Sequence, residues 1–319
     1  MKTEIKQCQN CKQNFVIEPE DFEFYAKIKV PPPTWCPDCR MVRRLAWRNE
    51  LSIYRRKCNA PGHSEDIVSI FPKTSSLIVY DQKYWWSDAW DPMRYGQDYD
   101  FSKSFFQQYA ELLQRMPRAS LDQKNAVNSD YTNFVISIKD CYYAFGMHDA
   151  EACMYTSSNN AFIKECMDVF RTRNSEFCYE TISCLRSNNL IFSQYCIECN
   201  HSTLLYDCHN CVDCFGCVNL RNKKYHIFNE PYTQEAYKEK MVTLNRGSYA
   251  SLNEDKEHFR DLLLKHPRKY AMISKSQNVS GDDILGAKDC RHCFFVQPGS
   301  ENCKYSLILI DGAKDIYDS

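Results

Sequence analysis

Two cysteine pairs, Cys8-x-x-Cys11 and Cys36-x-x-Cys39, stand 24 residues apart near the start of this 319-residue chain. Knuckles of this form supply four thiolates in the tetrahedral arrangement that structural zinc prefers. Pro37 directly follows Cys36, and the first turn of a helix tolerates proline because that N–H has no partner anyway. A helix is therefore expected to start at the second knuckle. Its amino end would favour the negative charge of the neighbouring thiolates. The expected cofactor is Zn²⁺, held by Cys8, Cys11, Cys36 and Cys39.

A second chemical signal follows at once. Between Arg40 and Lys57 there are seven basic residues (Arg40, Arg43, Arg44, Arg48, Arg55, Arg56, Lys57) and one acidic residue, Glu50. On a helix, Arg40, Arg43, Arg44, Trp47 and Arg48 share an arc of about 140°, with Met41, Val42, Leu45 and Ala46 opposite as the expected buried side. A cationic stripe with an aromatic at its centre suits phosphate contact and base stacking. The same stripe also suits a solvated face paired with the acidic stretch at 18–23.

The third signal is a dense run, Cys196-x-x-Cys199 and Cys208-x-x-Cys211-x-x-Cys214-x-x-Cys217. Its spacing is compatible with a second metal site or an iron–sulfur cluster, and His201, His209 and His292 lie beside cysteines. A longer pattern competes with that reading. Cys166, Thr172, Cys178, Cys184, Leu190, Cys196, Ser202, Cys208, Cys214 and Leu220 fall six residues apart, and Cys141 and Cys153 extend the register upstream with one slip. Such a repeat means that each unit buries its apolar face only by stacking on copies of itself. The dense run continues this lattice, so stacked, reduced thiols are its expected role.

These repeats must be carried by short strands, with Asn and Asp at the turns between them. The expected fold is mainly β, a parallel β-solenoid of about 12-residue repeats. One coil is expected to take about 24 residues, because ladders of Tyr, Phe and Met are hard to fit inside a 12-residue coil. The expected organisation is a zinc module at 1–50, an aromatic-rich module at 51–99 and a connecting helix within 100–120. The repeats then occupy 121–225, a helical insertion 226–272, and a continuation 273–319. Helical periodicity recurs at Asp100–Met116, Thr233–Leu244 and Asn253–Lys265.

Residues 5–48, about a seventh of the chain, also resemble a known family. Cys8-Gln-Asn-Cys11, Phe15-Val16-Ile17, Phe22-Glu23-Phe24-Tyr25, Val30-Pro31 and Cys36-Pro37-Asp38-Cys39-Arg40, followed by Arg43-Arg44, look like the small treble-clef or zinc-ribbon zinc-binding domain. The chain as a whole is similar to uncharacterised cysteine-rich repeat proteins of reduced-genome bacteria. The resemblance implies zinc and little beyond it. In some similar proteins the next segment looks like a second zinc ribbon. Here Cys58 and His63 would lack two obvious ligands, with Asp81-Gln82-Lys83-Tyr84 where a second pair would stand. A zinc-free module packed by its tryptophans is expected at 51–99.

Composition narrows the function. With 40 basic and 41 acidic residues, no global field favours polyanions. The start has no apolar signal segment and no run spans a bilayer. A cytoplasmic location with reduced thiols is expected, and the odd count of 19 cysteines fits it. No phosphate-binding glycine loop, His-Glu-x-x-His or Gly-x-Ser-x-Gly occurs. Asp140, Asp168, Glu180 and Asp207 would be the acids of a solenoid carbohydrate-active enzyme. The expected function is that of a non-catalytic, zinc-binding protein that binds a macromolecule. Nucleic acid at the basic helix is the sharper version and a protein-interaction scaffold the alternative. No cap is evident for the last repeat, Lys314-Asp315-Ile316-Tyr317, so the expectation is a longer parent protein or cover by a partner or second copy, with end-to-end self-association.

Overall fold

A computed structural model describes residues 2–47, 49–157, 163–164, 167–169, 175–244, 247–310 and 312–319. Arg48, Cys166 and Thr172 fall outside the described residues. The fold is mainly sheet with some helices, and the chain divides into two compact units. One joins Met1–Asn49 to Arg268–Ser319, and the other is Glu50–Pro267. The first fifty residues thus share a unit with about the last fifty.

The stacked repeat is built from three residues. In the Glu50–Pro267 unit, the strands Asn188–Ile191, Asn200–Tyr206, Val212–Val218 and Lys224–Ile227 pair in parallel, each residue with the one twelve positions on, as in Asn188 with Asn200 and Asn200 with Val212. Strands Gln123–Val127, Asn133–Lys139, Tyr142–Glu151 and Met154–Ser157 do the same. Within each repeat, every third residue has a left-handed backbone, for example Tyr195, Glu198, His201 and Leu204 with φ of 49–56°. The next residue (Cys196, Cys199, Ser202, Leu205) points inward and is buried. Four such corners close one rung in twelve residues, which corrects the expected 24. The aromatics do not crowd the interior because they occupy the other two positions: Tyr142, Tyr143 and Tyr155 stay exposed.

The corner geometry explains the cysteines. A corner leaves the inward residue's N–H without a strand carbonyl, and a buried donor must find a partner. It finds the inward side chain one rung earlier: Cys199 N–H donates to Ser187 Oγ (3.2 Å), Leu205 N–H to Ser193 Oγ (3.2 Å) and Cys214 N–H to Ser202 Oγ (3.0 Å). The inward thiol or hydroxyl donates in turn to the carbonyl two residues back, as Cys196 does to Gln194 (3.4 Å), Cys208 to Tyr206 (3.5 Å) and Ser202 to Asn200 (2.8 Å). A residue that is small, buried, and both donor and acceptor is required at most ladder positions. Cysteine and serine meet that requirement; valine and leucine appear where strands run longer, as at Val135 and Leu205.

The Met1–Asn49, Arg268–Ser319 unit carries its own parallel stack: Ile273–Ser274, Gly281–Leu285, Cys293–Val296 and Leu307–Leu309. Several of its offsets are 13, as in Lys288 with Glu301 and Lys304 with Tyr317. The extra residue falls at left-handed Gly299 and Gly312, each four residues after the corner before it (Phe295 and Ile308) instead of three. Beside this stack lie the hairpin β1 (Glu4–Gln7) and β2 (Asn14–Ile17), helix α1 (Pro19–Lys27) and helix α2 (Pro37–Leu45).

In the larger unit, β3 (Tyr54–Lys57) pairs antiparallel with β4 (Asp66–Ser69), and the short helix α3 spans Gln82–Trp85. Helix α4 (Phe105–Arg115) starts at the cap Ser104, so Phe101 lies before it. Helix α5 (Gln234–Thr243) is capped by Thr233 as expected, and α6 (Tyr249–Lys265) follows. They cover outward apolar residues of the stack, among them Leu204, Phe215 and Ile227. No helix among the described residues is long and apolar enough to cross a membrane.

The ladder's chemistry is testable at Cys208. Cys208→Ser keeps a donor and an acceptor, whereas Cys208→Val deprives the Leu220 N–H of its sulfur partner. Valine should be the less stable variant by about 1–3 kcal/mol despite its greater apolarity. Urea unfolding midpoints check this, and a valine variant as stable as serine would show that the thiol is only a space-filler.

Candidate metal centre

The thiol groups of Cys8, Cys11, Cys36 and Cys39 all lie within 4.8 Å of one another. Cys11 Sγ and Cys36 Sγ are 3.8 Å apart. Four sulfurs about 2.3 Å from a tetrahedral ion sit about 3.8 Å from each other, so the set is close enough to hold one metal ion. Cys8 and Cys11 come from the turn joining β1 to β2. Cys36 is the cap of α2, its sulfur accepting from Cys39 N–H (3.5 Å), and Pro37 is the first helical residue, as expected. The Cys36 N–H reaches Cys8 Sγ at 3.2 Å and Asn10 Nδ2 reaches Cys39 Sγ at 3.4 Å.

Electrostatics separate the four. Burial pushes Cys8 up, but N–H groups of Cys36, Cys11 and Asn10 outweigh it and bring the thiol down to about 6. Burial pushes Cys36 up to about 12, helped by the neighbouring thiols. Four sulfurs so close cannot all ionise alone; a cation removes the conflict and binds as the protons leave.

The basic helix is used differently from the expectation. Arg40 is 6% exposed; its Nε donates to Asp318 Oδ1 (2.9 Å), Nη1 donates to the Trp35 carbonyl (2.6 Å), and the guanidinium lies over the Tyr305 ring. Arg44 donates to Asp318 Oδ1 (3.3 Å) and the Tyr305 carbonyl (3.0 Å). Arg43 lies over the Trp35 ring. Val42 and Leu45, the expected buried side, are exposed, and so is Trp47 at 86%. The arginine face of α2 is therefore its packed face, because the last rungs offer carbonyls and Asp318. Arg55 donates to Tyr131 Oη, and Lys57 pairs with Asp66. Arg56 is buried against Asn59 and the Leu77 carbonyl. Among the described members of the expected nucleic-acid set, Arg40 and Arg56 are buried.

The same contacts answer the expectation of an uncovered last repeat. Phe24 stacks on Tyr317 at 3.8 Å between ring centroids, and Lys27 pairs with Asp315. Lys304 Nζ donates to Asp21 Oδ1 (2.8 Å) and Glu18 Oε2 (2.6 Å), and Tyr305 Oη donates to Asp21 Oδ2 (3.2 Å). The chain's own first helices cover one side of the last rungs, while the final inward positions Ala313 and Ile316 stay half-buried. Sequence spacing could not reveal this pairing across some 280 residues, although the acidic turn of α1 and Lys304 were both on view.

The dense cysteine run continues the ladder. Cys196, Cys199, Cys208, Cys211, Cys214 and Cys217 are interior ladder residues, each donating to the carbonyl two positions back. Burial pushes the Cys196 thiol well up, with the Cys184 and Cys199 thiols adding to it. Among the described residues only two groups bring three or more metal donors within 4.8 Å: the four sulfurs above, and Cys58, His63, Glu65 and Asp81. Glu65 and Asp81 are the two ligands sequence reasoning did not find for Cys58 and His63. Of the candidate acids, Asp168 and Glu180 share one corner column while Asp140 and Asp207 lie on two others, so the four do not converge. No family model, curated protein or solved structure matches this chain.

The Lys304 pair gives a signed prediction. Lys304→Ala strands the carboxylate of Asp21, only 2% exposed, and should cost about 3–5 kcal/mol. The hydrogen bond from Lys304 leads in holding Glu18 below its ordinary value of 4.5. Its stabilisation is present above that value and is lost as pH falls through the lower folded one. Acid unfolding of Glu18→Gln should therefore be less steep below pH 4.5 than that of the wild type. Metal loss is common to both proteins, and equal slopes would refute the linkage.

Proposed function

We propose that this chain is a zinc-stabilised, non-catalytic scaffold whose twelve-residue rungs form a parallel solenoid. Its outer surface would meet a macromolecular partner in the cytoplasm. The observation that carries this reading is where the polar chemistry goes: ladder thiols and hydroxyls answer backbone groups, and Arg40 and Arg44 answer Asp318 and the Tyr305 carbonyl. What remains outward on the stack is an apolar column, Tyr142, Met154, Met167 and Tyr179, in which successive residues pair in register and all are exposed. Such a column is a contact surface, since solvent alone gives no reason to align apolar side chains over four rungs. Zn²⁺ is the ion that a four-thiolate tetrahedral set selects over harder divalent ions. Its role would be structural, with all positions filled by protein sulfur.

Purified protein should carry Zn²⁺ on the four sulfurs, and Cys36→Ser should lose that ion. Chelation should loosen α1 and α2, read as new proteolytic cleavage within the first fifty residues. In a titration at low salt, neither single- nor double-stranded DNA or RNA should be retained. Salt-dependent binding that is abolished by reversing Arg43 to Glu would overturn the scaffold reading in favour of nucleic acid.

A further inference from the structure

The module around β3 and β4 repeats, contact for contact, the module that gathers the four sulfurs. In the first, Glu4 to Gln7 pair with Ile17 to Asn14; in the second, Tyr54 to Lys57 pair with Ser69 to Asp66. Cys8 and Cys58 each follow the first strand directly. Cys8 N–H donates to the Gln13 carbonyl (2.8 Å) and Cys58 N–H to the Glu65 carbonyl (3.1 Å), in each case the residue before the second strand. The next residue donates to the one two before the helix cap: Gln9 to Thr34 (3.0 Å) and Asn59 to Val79 (2.8 Å). The cap then donates its own N–H to the first sulfur, Cys36 to Cys8 Sγ (3.2 Å) and Asp81 to Cys58 Sγ (3.3 Å). Finally the cap side chain accepts from three residues on, Cys36 from Cys39 and Asp81 from Tyr84.

Asp81 thus stands where Cys36 stands, and Cys58 where Cys8 stands. The other two positions are replaced by neighbours. The loop that carries Cys11 in the first hairpin carries His63 in the second, and Glu65 supplies a donor from the strand edge while Tyr84 takes the place of Cys39. The four groups converge: Cys58 Sγ lies 3.3 Å from Asp81 Oδ2, and His63 Nδ1 lies 3.1 Å from that same oxygen and 2.7 Å from Glu65 Oε1. All four donor atoms lie within 4.8 Å of one another. Cys58 is 4% exposed and accepts a second N–H from Ala60 (3.4 Å). Burial pushes the Cys58 thiol up against these two N–H donors, and the Asp81 carboxylate adds to it; a cation placed between them relieves that conflict. Tyr80, Tyr84 and Trp90 wall the site, with His63 edge-on to Tyr84.

We propose that Cys58, His63, Glu65 and Asp81 form a second, independent transition-metal site, and that Zn²⁺ is the ion its donors suit. One thiolate and one imidazole disfavour Mg²⁺ and Ca²⁺, which take oxygen alone. Binding releases the Cys58 proton to solvent, uses neutral His63 through Nδ1, and leaves the ion, thiolate and two carboxylates with a net single negative charge. The site then locks the β3–β4 turn to α3, as the four sulfurs lock the β1–β2 turn to α2.

Co²⁺ titration of the full-length protein tests this without relying on the scaffold reading. The wild type should take two equivalents. Cys36→Ser/Cys39→Ser should take one, with the thiolate-to-metal absorption of a single sulfur. That remaining absorption should vanish in a protein that also carries Cys58→Ala. His63→Ala, at a half-exposed position, should weaken the second ion at least about tenfold and leave the four-sulfur spectrum unchanged. One equivalent in the wild type, carrying the four-sulfur spectrum, overturns the proposal, as does a second equivalent indifferent to His63→Ala. The wild-type count needs no variant, so a Cys58→Ala protein that fails to fold does not blunt the test. Loss of the first ion alone would count against the scaffold's zinc and not against this site.

Discussion

A left-handed residue at every third position is the constraint on which the rest of this structure depends. It turns the chain through four corners in twelve residues, and small side chains fill most of those corners, with Leu190 and Leu205 among the larger exceptions. Non-glycine residues adopt this backbone at a cost, and Leu204 and Phe192 do so here. The stack recovers that cost through regular parallel pairing and through the inward thiols and hydroxyls that satisfy corner backbone. Each rung leaves the next one's N–H groups a defined acceptor, so the rungs stabilise each other and none is complete alone.

The six-residue lattice was legible because a ladder of small polar residues repeats at a fixed interval. The coil length was not, because the lattice is twice the real period of three. Seen at six, the intervening inward residues (Cys199, Cys211, Cys217, Ser187, Ser193) look like decoration, and aromatics two places from a cysteine look like candidates for the interior. Once each triplet is read as strand residue, corner and inward residue, Tyr142 and Tyr143 have nowhere to go but out. Helices α5 and α6 were legible from capping and periodicity, while the start of α4 was not, since Phe101 fits the helical spacing but Ser104 provides the cap.

The four-sulfur site was legible in full because its ligands come from short-range motifs whose spacing has one chemical use. The arginines were not. An amphipathic pattern says which residues share a face, but not which face is packed; a helix with Val42 and Leu45 on one side is assigned its apolar side by default. Here the other side meets Asp318, the Tyr305 carbonyl and the Tyr305 ring, all about 270 residues away in sequence. Charge-assisted hydrogen bonds in partly buried surroundings outweigh burying one valine and one leucine. A comparable long-range effect hid the donors near Cys58: Asp81 reads as a helix cap, which it is, and only folding shows that its second oxygen faces a buried sulfur.

Cysteine serves two opposed purposes in this chain, and the surrounding dipoles decide which. Around Cys8 three N–H groups point at the sulfur and lower its thiol to about 6 against the effect of burial, so it is prepared to lose a proton to a cation. In the ladder, burial raises Cys196 well up and Cys293 to about 11. Their S–H groups face the carbonyls of Gln194 and Arg291. Ionising there would set a negative sulfur against a negative oxygen in a dry interior and remove the hydrogen bond at the same stroke. Cys196 and Cys293 are thus pushed toward the thiol by burial, while Cys141, beside the Cys153 sulfur, is brought down to about 7; the knuckles gather four sulfurs that a cation can hold together. A count of cysteines could not separate these roles. Their partners do: backbone and side-chain N–H groups meet the knuckle sulfurs of Cys8 and Cys39, while carbonyls meet the thiols of Cys196 and Cys293.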